Sequence, residues 1–398
     1  MASGLDDNEA SALALRMSLF YAASFLISGI YGPYFSAWLR GQGLSADYIA
    51  IVLSLPMFAR MAAGPMLAFV ADRSAKHRLV VQFLTVATLF GFLAPRLLDW
   101  TTGLVVIAVI NAVALPSIVP IGEAFAIAGI QRFGLDYGRM RMWGSMMFVF
   151  ANIAGGVALA RFGPGFILSL LTVAAALTLA VTSLLPGALA AGHAARLQFH
   201  EIGGLLRQPR FVQLLAATGA IQCSHGFFNT FATLAWQDRG ISAGVIGLLW
   251  ATAVVSEVLL FAFARRPLAR LGGSGLLVLG GSAALVRWVV LGFDPPLPLL
   301  FALQALHGLT FGATHMGTIH DMARTIPQKL SATAQGIYAA TTSGIATGLI
   351  VLASGPLYGL IGIHTYWVMS MIAALGLTLA LRFRTLTLGQ PISSISAP

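Results

Sequence analysis

The chain has 398 residues, of which 58% are hydrophobic and 9% charged, and it carries a formal net charge of +10. A water-soluble domain holds about a quarter charged side chains, so water is excluded as the main solvent; the positive charges lie in short loops, not on a nucleic-acid face. One cysteine, Cys223, excludes an internal disulfide and a thiolate metal cluster.

The first fifteen residues are acidic and polar (Asp6, Asp7, Glu9), unlike a cleaved leader, so the first apolar run is expected to stay in the protein. Apolar runs of membrane-crossing length follow at 15–37, 47–71, 79–96, 103–130, 140–160 and 165–186. After a polar stretch from His193 to Arg210, a second set falls at 211–236, 243–264, 274–293, 298–322, 332–359 and 363–382. Lipid leaves no backbone group unpaired, and glycine-rich, non-alternating runs fit helices and not a barrel. The expected organisation is a tail (1–14), a six-helix half (15–188), a central loop (189–210), a second half (211–384) and a tail (385–398).

Basic residues gather in alternate loops, among them Arg73, Lys76 and Arg78, then Arg132 and Arg139, Arg207 and Arg210, Arg265 and Arg266, Arg324 and Lys329, and Arg382 and Arg384. The positive-inside rule then places both termini in the cytoplasm of a bacterial inner membrane. The halves also repeat: Gly43-Leu44-Ser45-Ala46 and Gly240-Ile241-Ser242-Ala243 follow the first and seventh runs at an offset of 197. Parallel six-helix halves of this kind define an all-α membrane protein of the major facilitator architecture, with twelve transmembrane helices.

A charge at a helix centre costs about 2.5–3.5 kcal/mol, so those retained are candidates for function. Deep acids are Glu123 and Glu257; deep bases are Arg60, Arg141 and Arg287, with imidazoles His225, His307 and His315. Polar stripes recur at helical spacing: Tyr21, Ser24, Ser28 and Tyr31; Arg141, Ser145, Phe148 and Asn152; Gln222, His225, Asn229 and Thr233; Gln304, His307 and Thr314. Helix-to-helix hydrogen bonding explains any single Ser, Thr or Asn, whereas several stripes with ionisable groups fit a wet cavity. Tyr31, Phe148 and Trp250 offer ring faces. His307 and His315 are eight positions apart, about 80° around an α-helix, so they need not share a ligand, and no metal is expected.

Leu135-Asp136-Tyr137-Gly138-Arg139-Met140-Arg141-Met142-Trp143-Gly144-Ser145, with Ala251 to Ala262 around Glu257, Val286-Arg287-Trp288 and Leu303-Gln304-Ala305-Leu306-His307, resembles the phenylpropionate permease branch of the major facilitator superfamily. A more distant likeness to lactose permease falls on Pro120-Ile121-Gly122-Glu123-Ala124-Phe125 and Gly138-Arg139-Met140-Arg141. That likeness implies substrate binding by Glu123 with Arg141 as its partner, a substrate and proton role for Glu257, and coupling through Arg287 and His307. The chain departs where lactose permease has a proton-carrying carboxylate three residues after the histidine, because Thr310 stands there. Asp72-Arg73 with Lys76-His77-Arg78 partly resembles the superfamily's cytoplasmic latch, with Ala68 and Ala75 in place of its glycines.

The expectation is a symporter working as a monomer in the lipid bilayer, with the proton as coupling ion and no cofactor. Arg141, Glu123, Ser145, Tyr31, His225 and Asn229 would bind a small-molecule substrate; Glu257, Arg287, His307 and His315 would couple protons; Asp72, Arg73 and Arg78 would form the cytoplasmic gate. The family likeness points to an aromatic carboxylate such as a phenylpropionate; Glu123 beside Arg141 suits a sugar or nucleoside, and drug efflux is a third reading. No His-Glu-x-x-His, Gly-x-Ser-x-Gly or nucleotide-binding loop supports an enzyme or an ATP-driven pump.

Overall fold

The computed structural model describes residues 2–74, 76–187, 199–264, 268, 270–327 and 330–388, and the side chains of Arg60 and Asp72 are among those outside the description. Helices make up 90% of the described residues. In order they are α1 (Ala2–Gly41), α2 (Ala46–Ser74), α3 (His77–Leu97), α4 (Trp100–Phe133), α5 (Tyr137–Phe162) and α6 (Gly165–Thr182). There follow a short α7 (Phe199–Leu206), α8 (Pro209–Cys223), α9 (Gly226–Asp238), α10 (Ala243–Leu259), α11 (Gly272–Leu291) and α12 (Leu297–Ala305). The chain then runs through α13 (Thr314–Thr325), α14 (Ser331–Tyr338), α15 (Thr347–Ile361) and α16 (Thr365–Leu388).

Nine stretches among the described residues are long and apolar enough to cross a membrane. One of these, Thr333–Leu386, contains two successive spans joined by a 3-10 turn at Gly362–His364. The remaining two of the expected twelve spans are α2, apolar over Ala46–Ala59, and the seventh, which is broken between α8 and α9. The break departs from the single run expected at 211–236. Ser224 Oγ donates to the Ile221 carbonyl at 2.6 Å, and His225 Nδ1 lies 3.2 Å from the carbonyls of Ile221 and Gln222. Side chains thereby occupy carbonyls that the next helical turn would use. Three wider π-helical turns, Leu260–Ala264, Gly308–Ala313 and Ala339–Ala346, interrupt later spans.

The chain forms two compact units, one of Met1–Ala194 with Thr230–Ala251 and the other of Ala195–Asn229 with Thr252–Pro398. In the first, α1 packs along α5 and α6, and α4 is flanked by α2 and α3. In the second, α11 packs against α13 and α16, and α16 lies on α8. Polar caps set several starts: Asp99 accepts from Thr102 N at 3.0 Å at the head of α4, and Asp136 from Arg139 N at 3.1 Å at the head of α5. The cap on Asp136 fixes where α5 begins, and so places Tyr137 and Arg141 in its first turns.

The repeated tetrapeptides adopt the same local geometry. Gly43 and Gly240 have φ of 85° and 79°, and the residue after each donates back five positions, Leu44 N to Leu39 O and Ile241 N to Trp236 O. Each ends its helix in a Schellman cap, which needs the left-handed conformation open to glycine. Gly43→Ala and Gly240→Ala should each cost about 1–2 kcal/mol, with Gly43→Asn milder. The check is the temperature at which a thiol-reactive dye labels Cys223, buried at 6% exposure; midpoints equal to wild type would refute the cap assignment.

Candidate functional site

A group of ionisable side chains in the second unit surrounds Arg287, at 0% exposure on α11. Its Nη2 donates to Gln304 Oε1 at 2.7 Å, and its Nη1 reaches His307 Nδ1 at 3.1 Å and Thr310 Oγ1 at 3.3 Å. The guanidinium also lies over Phe228 and Trp288, 4.5 Å and 4.7 Å from the ring centroids. Among the described residues no carboxylate lies within 4.0 Å of it, so its charge is met by neutral acceptors and ring faces.

Arginine only donates, which sets the protons of its neighbours. His307 Nδ1 must accept, so the ring proton is on Nε2, which faces Glu257 Oε2 at 3.9 Å. His225 points Nδ1 at carbonyls, so that nitrogen donates and Nε2 accepts from Thr310 Oγ1 at 2.9 Å. Arg287, His307 and Glu257 form a chain leading from the sealed interior to a carboxylate 26% exposed, with His307 at 14%. His225 is therefore a buried part of this network (1% exposed), not an open ligand contact, while Asn229 is exposed.

His307, Phe311 and His315 stack as one column, with centroids 5.5 Å and 6.3 Å apart and planes within 11°. This corrects the expected 80° separation: the π-helical turn between the histidines turns less per residue than an α-helix and aligns them, with Phe311 in between. His315 Nδ1 continues to Tyr338 OH at 3.3 Å.

In the first unit Glu123 accepts from Tyr137 OH at 2.9 Å. Arg141 lies over the rings of Phe25 and Tyr21, 3.9 Å and 5.3 Å from their centroids, and no ion pair within 4.0 Å joins it to Glu123 among the described residues. The expected direct pair is thus replaced by aromatic contacts, although both groups lie within electrostatic reach of the same two phenols, Tyr21 and Tyr137. Ser145 is half-buried one turn beyond Arg141. Tyr31 stacks on Phe35 at 4.5 Å in a ladder that continues to Trp38, and Trp250 donates to Thr233 Oγ1 at 2.9 Å; both rings are spent on packing. Of the residues expected to form a cytoplasmic gate, Arg73 is exposed, Arg78 is half-buried, and the side chain of Asp72 lies outside the described residues.

Sequence reasoning missed the roles of Thr310, Phe228 and Tyr137. Thr310 stood out only as a departure from a family pattern, and Tyr137 only as part of a quoted motif. No spacing rule places Phe228 on an arginine of another helix.

A model of the MFS_1 like family matches residues 14–369. A probable 3-phenylpropionic acid transporter of Escherichia coli (strain K12) is 30% identical over 366 residues, covering 90% of this chain and 94% of that protein. The maltose permease of Geobacillus stearothermophilus is 29% identical over 350 residues, covering 85% and 86%. The crystal structure of the nucleoside transporter NupG matches with a TM-score of 0.77 over 95% of this chain and 100% of that one, at 18% identity, a likeness of fold alone.

Thr310→Val keeps the shape of the side chain while stranding His225 Nε2 and one Arg287 donor. It should destabilise the protein by about 1–3 kcal/mol, and Thr310→Ser should restore most of that. Thermal unfolding followed through Cys223 tests the pair; a valine variant as stable as wild type would remove Thr310 from the network.

Proposed function

This chain belongs to the MFS_1 like family of membrane transporters, and we propose on that premise that it imports a small aromatic carboxylate such as 3-phenylpropionate together with protons. Membership of a transporter family means that it moves a solute and does not transform one. The observation that carries the proton part is the chain Arg287, His307 and Glu257, ending in a partly exposed carboxylate within helices that cross the membrane. Buried carboxylates lose charge readily when a cationic neighbour withdraws, which is what a proton-coupled cycle requires. The basic loops support a bacterial inner-membrane protein with both termini cytoplasmic.

In this mechanism Glu257 takes a proton when it faces the outside. Its neutralisation leaves the positive charge of Arg287 without its nearest balancing anion in the chain, so an anionic solute is favoured in the protonated state. Arg141, with rings of Phe25 and Tyr21 beneath it and no paired carboxylate, suits a ligand that joins a carboxylate to an aromatic ring. The solute and proton are then released on the other side by alternating access, with the six-helix halves divided at the central loop. Asp72, Arg73 and Arg78 close the cytoplasmic side. One proton with one monoanion moves no net charge, so a pH gradient drives the cycle and a membrane potential does not.

A second reading, import of a sugar, is favoured by the Glu123 carboxylate bonded to Tyr137, since carboxylates accept from the hydroxyls of a sugar. A neutral sugar with one proton does move charge, worth about 2.3 kcal/mol per 100 mV.

Proteoliposome uptake separates the readings. Labelled 3-phenylpropionate should accumulate under an inward proton gradient, unaffected by a potassium diffusion potential, and Glu257→Gln should abolish accumulation. Arg141→Gln should raise KM by at least about tenfold, the loss of roughly one charge-assisted contact. Maltose uptake that responds to the potential, with no movement of the aromatic acid, would replace the first reading by the second.

A further inference from the structure

Glu257 sits where α10 meets the π-helical turn Gly308–Ala313, and the two elements are held together beside it. Ser256 Oγ donates to the Ala253 carbonyl at 2.7 Å, which leaves a lone pair that accepts from Gly308 N at 3.0 Å. The backbones are close: a methyl at Gly308 would lie 2.7 Å from the Ser256 carbonyl oxygen and 3.3 Å from Glu257 N. Four residues on, a methyl at Gly312 would lie 3.7 Å from Glu257 Cγ, so the acidic side chain runs along a notch between two glycines.

We propose that Ser256 and Gly308 are positioning residues that clamp the backbone of Glu257 against the π-helical turn and so hold its carboxyl beside His307. The proposal rests on the reading of Glu257 as the group that takes the coupling proton. Its logic is geometric. Glu257 and His307 belong to different helices, and their 3.9 Å separation is set by how closely those helices approach. The clamp acts on the residues immediately adjacent to each partner, Ser256 before Glu257 and Gly308 after His307, so little slack remains between the clamp and the carboxyl. Ser256 keeps its hydroxyl proton at ordinary pH and neither takes up nor releases one, and so acts through Glu257. Among the described residues, the titratable and charged groups that face this carboxyl include His307, with Arg287 and His225 behind it, and His315 further along the ring column.

The test uses the full chain in lipid vesicles and an infrared titration of the Glu257 carboxyl band, assigned by its disappearance in Glu257→Gln and requiring no substrate. Ser256→Ala should shift the midpoint by about one pH unit, equivalent to about tenfold in proton affinity, and Gly308→Ala should shift it too. Ser256→Thr, which keeps the hydroxyl, should return it to the wild-type value. In vesicles that transport 3-phenylpropionate, Ser256→Ala should lose about tenfold of pH-driven accumulation and keep counterflow, because exchange needs no net proton release. A wild-type band that titrates together with unchanged midpoints in both Ser256→Ala and Gly308→Ala would overturn the clamp alone. Absence of any titrating band that Glu257→Gln removes would overturn the reading of Glu257, and the clamp with it.

Discussion

A guanidinium sealed inside a membrane helix has to be satisfied, and Arg287 organises the second unit around that need. Its burial costs more than any single contact returns: about 2.5–3.5 kcal/mol for insertion, against about 1 kcal/mol for a typical hydrogen bond and up to about 2 for a desolvated cation–π contact. Several partners are therefore required together. Gln304, His307 and Thr310 come from the tenth span, Phe228 from the seventh and Trp288 from the same helix as the arginine. Trp288 is itself held by a 2.8 Å bond to Ser224 Oγ and by Tyr366 stacked at 5.7 Å. The Ser224 that breaks the seventh span is thus the residue that seats the ring under the charge.

The same donor-only character carries through the network as a direction. Because Arg287 cannot accept, His307 Nδ1 and Thr310 must, and Thr310 passes its own proton to His225. Each bond leaves one arrangement for the next, until the sole ring proton of His307 is aimed at Glu257. A carboxylate at position 310 would have paired with Arg287 directly and competed with His307 for it. The hydroxyl cannot neutralise the charge. With threonine there, the carboxylate reached through His307 is Glu257, which is one-quarter exposed.

How much of this could be read in the chain follows from what hydropathy can and cannot encode. Span positions, the repeat of Gly43 and Gly240 and the deep charges were legible because each depends on local residue type. The break at Ser224 and His225 was not, since a serine and a histidine within an apolar run look the same whether their side chains bond a neighbouring helix or their own carbonyls. Nor were the π-helical turns, which leave composition unchanged while rotating every later residue. His315 illustrates the consequence: counted on an α-helix it lies about 80° around from His307, and one wide turn brings it into the same column. The Glu123 and Arg141 pair drawn from family likeness failed for another reason, because Tyr137 takes the carboxylate and the rings of Phe25 and Tyr21 take the guanidinium.

Arg287 and Arg141 are in this respect opposites. Arg287 is at 0% exposure, bonded on two sides and covered by two rings, so exchanging its partners would expose a buried charge. Arg141 is only partly buried and rests on ring faces that accept no conventional hydrogen bond from it, so its guanidinium edge retains donors that an incoming anion can satisfy. A ring face holds the cation weakly enough for such a contact to form and break in each cycle. In the proposed mechanism the two have different tasks: Arg287 supplies the positive charge against which protonation of Glu257 is felt, and Arg141 meets the solute. Moving either charge into the other's setting would defeat its task, because a ligand arginine without donors binds nothing and a coupling arginine open to water is screened from the carboxylate it must influence.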